Sequence, residues 1–143
     1  MPRSTWLVRA LTLALALVLF VIPAAVAVAQ PAPKTPTEAY LGYRAALLKA
    51  KSLNDLKPWL SKDGFAQLES LPAEQRGMMF EMVKDMSSAV TNLKVVGETV
   101  TGDKAEVRVQ ATDTGDKSTQ RATVEIVREG GVWKFVKESW GNR

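Results

Sequence analysis

Two periodicities divide the chain. From Thr35 to about residue 90 apolar residues recur at helical spacing, and from about Asn92 to Ser139 they alternate. Tyr40, Tyr43, Leu47 and Ala50, widened by Ala39 and Ala46, predict an amphipathic helix ending near Lys51. Thr35-Pro36-Thr37-Glu38 opens it as a capping box, with Thr35 at the cap, Pro36 at the first helical position and Glu38 reaching back to the cap. Gly42 inside this helix costs about 1 kcal/mol of propensity relative to alanine, which close packing against a neighbour would explain. Ser52 predicts the cap of a short second helix carrying Leu53, Leu56, Trp59 and Leu60, made irregular by Pro58. Asp63 predicts the cap of a further turn or two through Phe65, Leu68 and Leu71, and Pro72 opens a longer helix to about Ser88. The stripe Met79, Met82, Val83, Met86, with Val90, predicts the inward face of that helix; Glu74, Glu81, Lys84 and Asp85 lie opposite.

The alternating half predicts four strands. Leu93–Val100 turns through Thr101-Gly102-Asp103 into Lys104–Thr112, where Ala105, Val107, Val109 and Ala111 share one face. A third strand runs from about Ser118 to Arg128 with Ala122, Val124 and Ile126 inward, and Gly130-Gly131 signals a tight hairpin into Val132–Ser139. Trp133 and Phe135 share a face of this last strand. Helices followed by a four-stranded antiparallel meander make an α+β domain, its apolar sheet face covered by the two longer helices. Glu106, Arg108, Arg121, Glu125, Lys134 and Glu138 are expected on the opposite face, a lattice of alternating charge suited to solvent.

Residues 1–29 have a different pattern. Arg3 and Arg9 precede a 13-residue apolar run, Ala10–Ile22, that Pro23 ends. Small residues follow, and Ala27-Val28-Ala29 fits the A-x-A rule, predicting an export signal cleaved after Ala29. The run is shorter than the roughly 20 residues of a comfortable span; an uncleaved anchor, the alternative, is the one route to the membrane. With no cysteine a lipoprotein is excluded, and no adjacent arginine pair supports the twin-arginine route. The expected organisation is thus a signal at 1–29, an extended linker at 30–34 and a single domain at 35–140, periplasmic or secreted.

Composition mostly excludes. Loss of Arg3 and Arg9 leaves 17 basic against 15 acidic residues, a net +2, and the signs alternate along the chain, so no nucleic-acid footprint is present. With no histidine and no cysteine, Ser-His-Asp and Cys-His catalysis, the usual zinc sites and disulfides are ruled out. Neither G-x-G-x-x-G nor a P-loop occurs, and no cofactor is expected. Asp113-Thr114-Gly115-Asp116 resembles a calcium-loop fragment but lacks the remaining ligands, and reads as a turn. Met78, Met79, Met82 and Met86 crowd into nine residues. Core filling is the reading taken, with an apolar ligand surface and a thioether Cu(I) site as alternatives. Trp133 reads as core; Trp140 reads either as a cover for the open end of the sheet or as an exposed contact.

Thr35-Pro36-Thr37-Glu38-Ala39-Tyr40, Gly102-Asp103-Lys104-Ala105-Glu106-Val107 and Gly130-Gly131-Val132-Trp133-Lys134-Phe135 together resemble small bacterial exported proteins of the nuclear transport factor 2-like (cystatin-like) superfamily, including its lumazine-binding-like group. The resemblance covers roughly Thr35 to Ser139. It implies a curved sheet wrapped around helices, leaving a cone-shaped cavity. Members include isomerases, dehydratases, ligand carriers and interaction modules, so the fold alone does not assign an activity. The Tyr and paired acids of the steroid-isomerase branch have no residue-by-residue match here.

Two readings follow. The first is a non-catalytic module binding a small apolar ligand or a protein, with a cone lined by some of Tyr40, Tyr43, Trp59, Met82, Trp133 and Phe135. The second is a small isomerase- or dehydratase-type enzyme resting on a pocket carboxylate or tyrosine. A filled core would instead leave surface interaction, with a homodimer through the sheet as one form. N-terminal sequencing of the exported protein is expected to begin at Gln30; an intact Met1 in the membrane fraction would overturn cleavage.

Overall fold

The computed structural model describes residues 31–141, so the predicted export segment and the start at Gln30 lie outside the described residues. Helix α1 spans Pro36–Lys49, a 3₁₀ turn Leu53–Leu56, α2 Lys62–Glu69 and α3 Ala73–Ser88. Four strands follow, β1 Val90–Thr101, β2 Lys104–Asp113, β3 Thr119–Glu129 and β4 Val132–Gly141. They pair antiparallel in sequence order as one open sheet. The predicted α+β arrangement of helices on a four-stranded meander is the one found.

Local chemistry explains the boundaries. The Thr35 hydroxyl accepts from the Glu38 amide at 3.1 Å, while the Glu38 carboxylate accepts from Lys34, one residue before the expected cap amide. Ser61, not Asp63, caps α2, its hydroxyl accepting from the Gly64 amide at 3.1 Å. Gly102, Gly130 and Gly131 all have positive φ, which the two hairpin turns require and side chains resist. In the third connection Asp113 and Asp116 accept from the backbone amides of Gly115 and Ser118, so both carboxylates serve the turn.

The core lies between α1 and the inner sheet face. Ala39, Tyr40, Tyr43 and Leu47 meet Val107, Val109, Val124, Ile126, Trp133 and Phe135, and all are buried. Thr37 ties the start of α1 to β1 by donating twice to Glu98, at 2.9 and 2.6 Å. The chain after the 3₁₀ turn runs along the free edge of β4: Phe135 donates to the Trp59 carbonyl and Ser61 to the Phe135 carbonyl, both at 2.8 Å. An edge that could pair with another chain is covered there.

One expectation about the core fails. The helix that covers the sheet is α1, and α3 packs mainly against α1, touching the 3₁₀ turn and β1 to a lesser extent. On α3 it is Phe80 and Ser87 that are buried, with Val83 partly so. Met78, Met82 and Met86 are more than half exposed and Met79 more than a third. At 100° per residue these four methionines fall within an arc of about 100°, displaced from the direction of Phe80 and Ser87. The methionine stripe is therefore not the core face.

Gly42 has its expected explanation. A Cβ there would sit 2.1 Å from the Trp59 ring, whose backbone is held between Leu56 and Phe135. Overpacking of this kind costs about 1–3 kcal/mol, against a propensity gain of about 1 kcal/mol. Gly42→Ala is expected to lower the urea midpoint despite the better helix former. A neutral or stabilising result would show that Trp59 is free to move.

Candidate functional site

The site begins with a single extra residue. Ile126 pairs with Phe135, but Glu125 pairs with Lys137, so Val136 is bulged out of the ladder. Before the bulge Trp133 and Phe135 point inward. After it the parity is reversed, and Glu138 and Trp140, opposite Val124 and Ala122, take the inner face. Glu138 was expected among the solvent-facing charges; its side chain is 11% exposed. Lys137 instead turns to solvent and pairs with Glu125 at 3.0 Å.

A carboxylate pushed inside requires compensation, and α1 supplies it one turn apart. The Tyr40 hydroxyl donates to Glu138 Oε1 at 2.5 Å and Arg44 Nη1 lies 3.4 Å from the same oxygen. Arg44 is itself buried, and its Nη2 donates to the Ser87 carbonyl of α3 at 2.8 Å. One guanidinium thus joins α1, α3 and β4. Burial, with the nearby Glu138 charge, pushes the phenols of both Tyr40 and Tyr43 well above the ordinary tyrosine value.

Beside this cluster is a cleft of about 500 Å³. One wall is Tyr43 and Leu47 of α1 with Phe135, Glu138 and Trp140 of β4; Leu53 and Leu56 close one end. Leu68 of α2, Leu71 and the Met79, Phe80, Val83 and Met86 edge of α3 form the other side. The Tyr43 ring stacks on Phe135, 3.8 Å between centroids and 9° between planes. Arg76 and the Lys137 segment are the cationic parts of the lining and Glu138 the anionic one.

The six residues singled out from sequence divide. Tyr43 and Phe135 form the wall together. Tyr40 stands one turn away, fully buried, and acts through Glu138. Trp133 is sealed in the core beneath Arg128, whose guanidinium lies 5.1 Å from its ring centroid, and Trp59 packs over Gly42. Met82 faces outward beyond the cleft's edge. None of the last three lines the cleft, because each belongs to a face that α1 or solvent occupies. Glu138 and Trp140 were missed or left open, since the bulge that places them on the inner face has no marker in sequence, and Arg44 on α1 was missed because its buried partner is Glu138. Among the described residues no cluster of three or more acidic, histidine or cysteine side chains could hold a metal ion.

No protein-family model matches the chain, and no curated protein matches it by sequence. Solved structures do. A calcium/calmodulin-dependent protein kinase type II association domain from Thiobacillus denitrificans superposes with a TM-score of 0.52 at 21% identity, covering 78% of this chain and 97% of that one. The fold is nuclear transport factor 2-like. An NTF2-like transpeptidase from Campylobacter jejuni matches 72% of this chain and 98% of its own at 12% identity and a TM-score of 0.47. At these identities the likeness concerns the fold, and the chemistry must be read from the site.

Tyr40 and Tyr43 are the only tyrosines of the chain, so a phenolate absorbance titration reads this site alone. Unfolded tyrosines lose their proton near pH 10; in the fold both retain it to higher pH. Above about pH 10 the unfolded chain therefore binds fewer protons, and stability falls by up to roughly 1.4 kcal/mol per pH unit for each tyrosine. The stabilisation is intact below that value and is lost as pH rises through it. The expected titration shows no phenolate at pH 10 in the native protein and about one equivalent in urea, half of each tyrosine; native ionisation at the ordinary value would contradict the buried geometry.

Proposed function

We propose that the domain is an exported, non-catalytic binding module for a small apolar molecule. The observation that carries this is the cleft between α2, α3 and β4: about 500 Å³, walled by leucine, valine, phenylalanine and tryptophan side chains. That volume lies within the usual range for small-molecule sites. Methionines form its lip, and unbranched thioether side chains adapt to ligands of irregular shape. Among the described residues one carboxylate faces the cleft, matched by Arg44, and no second one lines it to complete an acid–base pair. Export rests on the pattern of residues 1–29.

One observation favours the enzyme reading as second. A carboxylate only 11% exposed, on a cleft of this size and beside a tyrosine, is a place where a cofactor-independent isomerase or dehydratase would keep its proton acceptor.

The test is a neutral fluorescent ligand, N-phenyl-1-naphthylamine, titrated into protein isolated from the exported fraction. Saturable one-to-one binding at micromolar concentration is expected. Val83→Lys, which sets an ammonium on the apolar wall, should weaken it at least about tenfold with the thermal melt still cooperative. Absence of saturable binding, together with no co-isolated small molecule in native mass spectrometry, would overturn the proposal.

A further inference from the structure

Two polar atoms at the cleft remain unused by the protein. Both donors to Glu138 converge on Oε1, at 2.5 and 3.4 Å, and no hydrogen bond among the described residues takes Oε2. The Tyr43 hydroxyl likewise has no hydrogen bond among them, although its ring is buried against Phe135. Yet no buried side-chain nitrogen or oxygen among the described residues lacks a partner, so neither atom is sealed in. Both residues line the cleft, and the Glu138 charge acts on Tyr43 directly. A mostly apolar lining, which also includes Arg76 and Lys137, thus presents a pure acceptor and a group that can donate on one wall.

We infer that the cleft recognises an apolar molecule by a single alcohol group, whose hydroxyl donates to Glu138 Oε2 and accepts from the Tyr43 hydroxyl. This rests on the binding reading above and specifies its ligand class. A hydroxyl is the smallest group that supplies one donor and one acceptor, the complement of what is offered. An ether or hydrocarbon would leave Oε2 desolvated without a donor, which is the form of discrimination that polar sites make strongest. A carboxylate would meet the Glu138 charge. An ammonium would enter beside the Arg44 guanidinium, which already balances that charge.

The test compares ten-carbon ligands that differ at one end: 1-decanol, 1-methoxydecane, decanoate and decylammonium, each competing with N-phenyl-1-naphthylamine on the full exported protein. Decanol is expected to bind at least about tenfold more tightly than the methyl ether, decanoate or decylammonium. In Tyr43→Phe, which keeps the stacked ring, alcohol and ether should both weaken at least about threefold, because either oxygen accepts from the phenol. Glu138→Gln, which places a donor where Oε2 accepts, should abolish decanol's advantage over the ether; if that variant does not fold, the alcohol's affinity in Tyr43→Phe decides alone. Equal binding of alcohol and ether, an alcohol affinity unchanged in Tyr43→Phe, or a preference for decylammonium would each overturn the hydroxyl assignment while leaving an apolar binding module standing. Failure of the fluorescent ligand itself to bind would remove both.

Discussion

One unpaired residue on the last strand governs the interior. Without the bulge at Val136, the alternation set by Trp133 and Phe135 would carry Lys137 and Ser139 inward and expose Glu138 and Trp140. A lysine and a serine facing α1 and α3 would leave Arg44 without a counter-charge and the cleft without its aromatic end. The bulge instead delivers an acceptor and an indole to the inner face and sends the lysine to Glu125 outside. It lies directly beyond Phe135, where residues 59–61 pair with the strand's edge, so the ladder is pinned immediately before it shifts. A register shift moves every side chain beyond it to the opposite face, and the whole polar arrangement of the site follows from this one.

The cluster it creates is stabilising only as a unit. Two charges taken out of water gain little net from each other unless their remaining hydrogen-bonding capacity is satisfied, and removal of one partner leaves the other uncompensated at a cost of about 3–5 kcal/mol. Here Tyr40 supplies a second donor to the carboxylate, and the Ser87 carbonyl a second acceptor for the guanidinium. The Ser87 contact also limits how α3 can sit on α1, because a helix shifted by a turn would withdraw the carbonyl. Polar geometry therefore specifies the position of a helix whose apolar contacts with the sheet are few.

The element boundaries were legible because they rest on local rules: Thr35 capping α1, paired glycines turning β3 into β4, strict alternation along β2. The three corrections are non-local. Ser61 displaces Asp63 as a cap because the preceding residues are extended along β4, which no neighbour in sequence signals. The methionines read as a core stripe since their spacing is right, but Phe80, one residue out of phase, carries the larger ring and takes the buried direction. Glu138 could not be placed, because a bulge at a valine between an aromatic and a lysine differs in no local feature from continuous strand. Parity counted from Trp133 gives the wrong face for every residue after Val136, and the site's carboxylate and its indole, Glu138 and Trp140, lie on that stretch.

The methionine lip has a property that a lip of leucines would lack. Each thioether can take up one oxygen atom from a peroxide, becoming a polar sulfoxide without any break in the chain. Met79 and Met86 stand on the cleft's edge, with Met78 and Met82 beyond it on the same arc, and Met79 is the least exposed of the four. Oxidation would thus reach Met78, Met82 and Met86 before the more shielded Met79, turning an apolar entrance hydrophilic while the sealed core of α1 and the sheet stayed unaltered. The chain has no thiol to be oxidised in their place. Its sensitivity to oxidants is concentrated on one helix, at the threshold of the cleft.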